Sequence, residues 1–392
     1  MKRDTLSVNS QYILMQSLFW MLYCAAAGFT ALYLQGRGLN VAQTGIVTAV
    51  FGGLAAILQP VAGSLCDRYF VTWKTMELAL CFLIQLVCIF MLIIHGVRAG
   101  AFLMGLLILI GNLIMPFINS AHFYYSQHGE KINFGVARGM GSGMYAFMAM
   151  LIGILTKNYG IDVIPLIGIV MSVLFIATVF RMPCTNISHA GSRTKRVKKT
   201  GFFMKYQSFT VMLLACCMML TSHNITGTYL IQIIQSLGGS SSNLGAALAV
   251  QAVVEVPVLF CFSKIVKYIH PDKLMVLSAT GFVLKAVSYA VSGNIMMIYL
   301  AQLTQMVSFA IFASASVYYT AEMISREDQA TGQACMTGML AAGTVLGSLT
   351  GGWVLQYMGL SQMLCLNIAV SVLGVILAAM SVRQAGRPLL HS

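Results

Sequence analysis

Twelve long apolar stretches dominate this chain of 392 residues, and each is about as long as a lipid bilayer is thick. A helix needs about 20 mostly apolar residues to cross the hydrocarbon core. The candidates are 11–35, 41–66, 75–94, 101–125, 136–157, 163–181, 207–237, 243–263, 273–292, 296–322, 332–357 and 362–382. The breaks between them carry Gly, Asn, Pro or charge, as in QGRGLN, CDRYFVTWK, HGVRAG, KNYG, YIHPDK, ISREDQ and YMGLS. Only 8% of the residues are charged. A soluble chain of this size carries about a quarter. The first run contains CAAAGF, which has the look of a leader cleavage site, but it stays apolar through Leu34 and is too long for a leader core. It reads as a first span.

An even number of spans puts both termini on one side. Of the 23 Lys and Arg residues, Arg37, Arg98 and Lys157 fall on the opposite side and Lys285 falls inside a span, which leaves nineteen on the side of the termini. Short loops rich in Lys and Arg stay in the cytoplasm, so both ends are expected there. The net charge of +13 is therefore a record of topology, and no nucleic-acid partner is expected. The expected fold is all-α, with twelve transmembrane helices in two six-helix bundles. The bundles are residues 1–181 and 207–392, joined by a basic cytoplasmic linker, 182–206. Transporters built this way place their substrate site near the bilayer midplane, between the halves. The two halves show no obvious identity, so their likeness is inferred from topology.

Ten cysteines lie almost entirely within apolar segments, with no CxxC pair and no Cys/His cluster at metal-binding spacing. They read as packing residues, and no metal or cofactor is expected. There is no HExxH, no phosphate-cradling Gly loop and no GxSxG; GLSQM is not one. An enzyme is not expected.

An ionisable group inside a span is a functional candidate by default. Glu255 lies about twelve residues into the eighth span and Lys285 about twelve into the ninth. At 1.5 Å per residue each sits roughly 18 Å along its helix, near mid-membrane. Unpaired, either would be costly, so they are expected to neutralise each other or to line water. Pro257 lies two residues beyond Glu255 and is expected to kink that span. Arg138 reads either as a positive-inside arginine at a helix entry or, if the helix starts near Lys131, as a cavity arginine, and Tyr145, seven residues on in FGVARGMGSGMYAF, shares its helix face. A guanidinium suits a hydroxyl-rich or carboxylate ligand, and a flat ring suits the apolar face of a sugar or an aromatic solute. Asn119, His223, Asn224 and Gln305 are further polar candidates within spans, as are His122 and Gln251. Asp67 and Arg68 end the second span. Glu77 and Glu322 fall near helix ends, where solvated or locally paired states are expected, and Arg37 and Asp162 read as exterior loop residues.

These residues carry a family resemblance. GSLCDRYFVTWK resembles the G-x-x-x-D-R-x-G-R-K signature of the major facilitator superfamily, with Gly63, Asp67 and Arg68 in place, Phe70 where a glycine belongs, and the basic cluster thinned to Lys74. FGVARGMGSGMYAF resembles the fifth-helix motif of lactose-permease-like proton symporters, with Arg138 and Tyr145 on the sugar-binding arginine and the stacking aromatic, and Val136 on the first arginine. The resemblance puts Glu255 and Lys285 on positions that join substrate binding to proton coupling, and Asp67 and Arg68 on a cytoplasmic gate. The fourth-helix acid of that family is replaced by Asn119 or Ser120, the tenth-helix proton residues by Gln305 and Ser308, and the seventh-helix acid around Asn224 and Gly227.

The resemblance thus implies an inner-membrane secondary transporter that takes up a small polar solute, a saccharide or glycoside first, by proton-coupled alternating access, functioning as a monomer. Arg138, Tyr145, Asn119, His223, Asn224 and Gln305 would bind substrate. Glu255 and Lys285 would couple protons. Uptake of nucleosides or aromatic acids is an alternative. Efflux of amphipathic compounds is another, favoured by 27 methionines suited to an adaptable apolar pocket.

Overall fold

The computed structural model describes residues 7–69, 71–183 and 201–385. Helices follow the apolar stretches closely. They are α1 (Val8–Gly28, continued as Thr30–Gly36), α2 (Val41–Tyr69), α3 (Trp73–Ile93), α4 (Val97–Gln127), α5 (Phe134–Tyr159) and α6 (Val163–Arg181). Then come α7 (Gln207–Thr228, continued as Leu230–Ser236), α8 (Ser241–Tyr268), α9 (Pro271–Ala290), α10 (Ile295–Leu303, continued as Phe309–Met323), α11 (Gln329–Tyr357) and α12 (Leu360–Ala385). Among the described residues, eleven helices are long and apolar enough to cross a membrane, or twelve when the bent α1 is counted as one span.

Short polar residues start several of these helices. The side chains of Ser7, Thr72, Asn133 and Asn294 accept hydrogen bonds from the backbone N–H three residues on, at the starts of α1, α3, α5 and α10. Each satisfies a donor that the first turn leaves without a helical partner. Large side chains such as Phe82, Phe102, Phe147 and Phe180 stand more than half exposed on the helices. So much exposed apolar surface fits a lipid solvent and would be a liability in water.

Among the described residues, three breaks interrupt the spans, and no proline marks any of them. α1 passes through a π turn at Cys24–Gly28 and bends by 45° at Phe29. α7 leaves helical geometry at Tyr229. α10 narrows to a 3-10 turn at Thr304–Met306, and Ser308 has φ −95° and ψ −96°. Pro257 lies inside α8, which is helical from Ser241 to Tyr268.

The chain forms two compact units. The first comprises Met1–Asn40, Val50–Arg193 and Gly239–Val253; the second comprises Val41–Ala49, Thr194–Gly238 and Val254–Ser392. Each is built on the same plan. In the first, α1 packs on α5 and α6, and α3 packs on α4 and α6; in the second, α7 packs on α11 and α12, and α9 packs on α10 and α12. The repeat also has a numerical register. The breaks at Phe29 and Tyr229, the left-handed Gly38 and Gly238, and the starts of α2 at Val41 and α8 at Ser241 each stand 200 residues apart. So do Gly45 and Gly245, and both make backbone contacts that a side chain would block. A Cβ on Gly45 would strike the Ser348 carbonyl and the Tyr229 hydroxyl; one on Gly245 would strike the Ala149 carbonyl.

Candidate functional site

The sequence candidates fall into two clusters, one in each unit. In the first unit, α5 begins at Phe134 behind the Asn133 cap, not near Lys131, so Arg138 lies in its second turn and is half-buried. Its Nη1 donates to Ser142 Oγ at 2.8 Å, one turn on. Its guanidinium carbon lies 4.0 Å from the centre of the Trp20 ring in α1. This is a cation–π contact, in which the negative ring face attracts the cation. Tyr145 meets the same indole edge-on, with centroids 6.4 Å apart. Trp20 therefore joins the two residues that share a face of α5. Gly141 makes room for it, because a Cβ there would lie 2.5 Å from the indole. Behind the indole runs a buried polar chain: Trp20 Nε1 donates to Gln16 Oε1 at 3.2 Å, Gln16 Nε2 to Tyr12 OH at 3.0 Å, and Tyr12 OH to the Ile118 carbonyl at 3.3 Å. Asn119, next along α4, is exposed.

Trp20 is the residue that the sequence analysis overlooked. A signal for it exists. Tryptophans of membrane helices favour the interfaces, yet this one lies twelve residues into α1.

In the second unit, Glu255 of α8 and Lys285 of α9 are both buried, as expected of residues at mid-span. They are bridged rather than paired end to end. Lys285 Nζ donates to Gln305 Oε1, and Gln305 Nε2 donates to Glu255 Oε1 at 2.7 Å. Gln305 is fully buried in the 3-10 turn of α10. An amide suits this place, because it accepts from the ammonium on one side and donates to the carboxylate on the other. The break itself is braced: Ser278 Oγ donates to the Ser308 carbonyl at 2.8 Å, and a Cβ on Gly281 would sit 2.5 Å from the Val307 carbonyl oxygen. His223 stacks on Phe309, just past the break, at 4.7 Å and 11°. Its Nδ1 is buried with no hydrogen-bond partner among the described residues.

Other candidates have structural roles. Asn224 Nδ2 donates to the Leu220 carbonyl and its Oδ1 accepts from Thr344 Oγ1 at 3.2 Å, which ties α7 to α11. Arg37 and Asp162 form an ion pair, and Arg37 also reaches His95 and the Met91 carbonyl, so these residues clasp three loops of the first unit. Glu322 pairs with His270. The side chains of Asp67 and Arg68 lie outside the described residues. Glu77, expected to be solvated or locally paired, is instead fully buried, and neither of its oxygens has a partner among the described residues.

Two compact units of one plan, broken spans and buried charges bridged in mid-helix together fit a multi-pass membrane transporter of the major facilitator type. The chain belongs to the MFS_1 like family, whose model matches residues 12–366. Among solved structures it is similar to the nucleoside transporter NupG, at 13% identity over 98% of this chain and 100% of that one, with a TM-score of 0.83. It is also similar to a peptide transporter POT, at 14% identity, 95% and 94% coverage and a TM-score of 0.72. A third is a bacterial homolog of the human lysosomal transporter Spinster, at 13% identity, 97% and 98% coverage and a TM-score of 0.69. No curated protein sequence matches it.

Proposed function

We propose that this protein is a proton-coupled secondary transporter of a bacterial-type inner membrane, functioning as a monomer without a cofactor and taking up a small solute with a hydroxylated ring. Saccharides and glycosides are the leading class. The observation that carries the reading is the buried Lys285–Gln305–Glu255 bridge at the break in α10. A carboxylate held to an ammonium through one neutral amide is stable while ionised. It becomes ready to take a proton once α10 shifts and the amide withdraws. Arg138, over Trp20 and beside Tyr145, supplies what a ring with hydroxyls needs: fixed donors and two aromatic surfaces. Substrate and proton would each favour the closed form, so their binding is positively linked.

Nucleosides are the second reading. They share the hydroxylated ring and add an aromatic base for Trp20 and Tyr145, and the fold is similar to that of a nucleoside transporter.

The test is solute-driven proton uptake. De-energised cells expressing the protein are suspended in weak buffer, and saccharides, glycosides, nucleosides and aromatic acids are added in turn. External pH is expected to rise with one class, and the rise to vanish in Glu255→Gln and in Arg138→Ala. Labelled solute entering with no pH change would remove proton coupling from the proposal. Resistance to amphipathic drugs on expression, dependent on Glu255 but not on Arg138, would replace uptake with efflux.

A further inference from the structure

Glu77 takes no part in the mechanism above and stands in a place where a carboxylate charge has no support. It is the fifth residue of α3, about 6 Å along the helix from Trp73. It is 0% exposed, and neither Oε1 nor Oε2 meets a hydrogen-bond donor among the described residues. α3 packs on α4 and α6, and the electrostatic neighbours of Glu77 are Tyr12 of α1 and Cys81 one turn along its own helix. Neither is a cation.

Among the described residues, the basic groups of α3 and α6 near these helix ends are engaged with other partners or exposed. Lys74 Nζ donates to the carbonyls of Phe180 and Met182, at 2.8 and 2.7 Å, where α6 ends, and Arg181 of α6 is exposed. On α4, His122 lies against the Tyr12 ring at 6.1 Å, and Tyr125 OH donates to the Pro183 carbonyl at 2.7 Å. An isolated ionised carboxylate in such surroundings is among the most expensive groups a fold can hold, whereas a neutral carboxylic acid costs far less.

A second orphan lies one turn away. Trp73 is buried against the rings of Tyr124 and Tyr125, at 6.1 and 5.8 Å, and its Nε1 also has no partner among the described residues. It stands between Glu77 and the end of the helix. An indole N–H and a carboxyl group four residues apart on one helix face can meet directly or through a water once the packing loosens.

We propose that Glu77 is a proton-binding site of the first unit: it carries a proton as a neutral acid while α1, α3 and α4 are packed as here, and releases it to water when the Trp73 end opens. No bond other than O–H breaks, and the carboxylate left behind gains the Trp73 N–H and solvent. This inference does not depend on Glu255, Lys285 or the identity of the solute.

The test uses the full chain in lipid nanodiscs and needs only protons and deuterons as probes. Infrared spectra near neutral pH are expected to show a carboxylic-acid carbonyl band that moves in heavy water, persists in Glu255→Gln and is absent in Glu77→Gln. A band unchanged by Glu77→Gln would overturn the proposal. If Glu77→Gln fails to fold, the Glu255→Gln protein decides alone, and an absent band there overturns the proposal equally. The chain has three tryptophans. A Trp20→Phe, Trp353→Phe protein therefore reports Trp73 alone. Its emission is expected to shift to the red as alkali removes the band, and to stay fixed when Glu77→Gln is added. A red shift that survives Glu77→Gln would separate opening from this proton and sink the release step.

Discussion

At the scale of single residues, the geometry of a charge matters more than its sign. Arg138 lies over Trp20 and donates to Ser142. A lysine keeps the charge but loses the planar fork and most of the stacking. Arg138→Lys is therefore expected to lower solute uptake about tenfold or more, and Trp20→Leu to do the same with Arg138 intact, measured as initial rates of labelled-solute entry. His270 is a second case, outside the spans. Its Nδ1 and Nε2 reach Asp272 and Glu322, at 2.8 and 2.6 Å. The hydrogen bond to Asp272, with Glu322 close by, holds the imidazole above its ordinary value of 6.5. The stabilisation is complete below that value and fades as pH rises through the raised one. The melting temperature should thus fall slightly across this range in wild type and not in His270→Gln; the imidazole is half exposed, so the effect is small. Arg138, Glu255 and Lys285 were legible because a charge in an apolar run announces itself. Trp20 was hidden because an aromatic residue in such a run looks like any other core residue. Glu77 was misjudged because nearness to a helix end was taken for exposure, whereas the helix that carries it packs on α4 and α6.

At the scale of elements, the spans were legible and their breaks were not. The stretch 41–66 became Val41–Tyr69, and 75–94 became Trp73–Ile93. Length and hydropathy suffice for this, because lipid forces every backbone group into a helix. The breaks at Phe29 and Tyr229 leave hydropathy untouched, and the glycines beside them, Gly28 and Gly227, are two among 36, so each span reads as continuous. The break in α10 matters most, since it holds Gln305. Gln305→Leu removes the acceptor of Lys285 and is expected to cost about 1–3 kcal/mol, seen as a lower melting temperature in detergent. The glycine crossings are a second test. Gly245→Ala must push the Ala149 carbonyl away, and about 1–3 kcal/mol of destabilisation is expected, where Gly143→Ala, with open space around it, should be nearly silent.

At the scale of the whole molecule, the uneven distribution of Lys and Arg predicts that both ends face the cytoplasm. A fluorescent-protein fusion at residue 392 should therefore glow, and an alkaline-phosphatase fusion there should stay inactive; the reverse pattern would invert the topology. The likeness of the halves was inferred from span count alone, although Gly38, Gly45, Gly238 and Gly245 were in plain view. Four glycines are too few to stand out in a comparison of sequences, and only the shared backbone geometry shows that they correspond.

That register also shows what the halves do not share. Counting 200 residues back from Glu255, along the pair of helices whose starts share that register, leads to Ala55, which carries no charge. The scaffold was copied and the chemistry was not. Each unit therefore carries polar chemistry of its own kind: a guanidinium over an indole in the first, and an acid, an amide and an amine in the second.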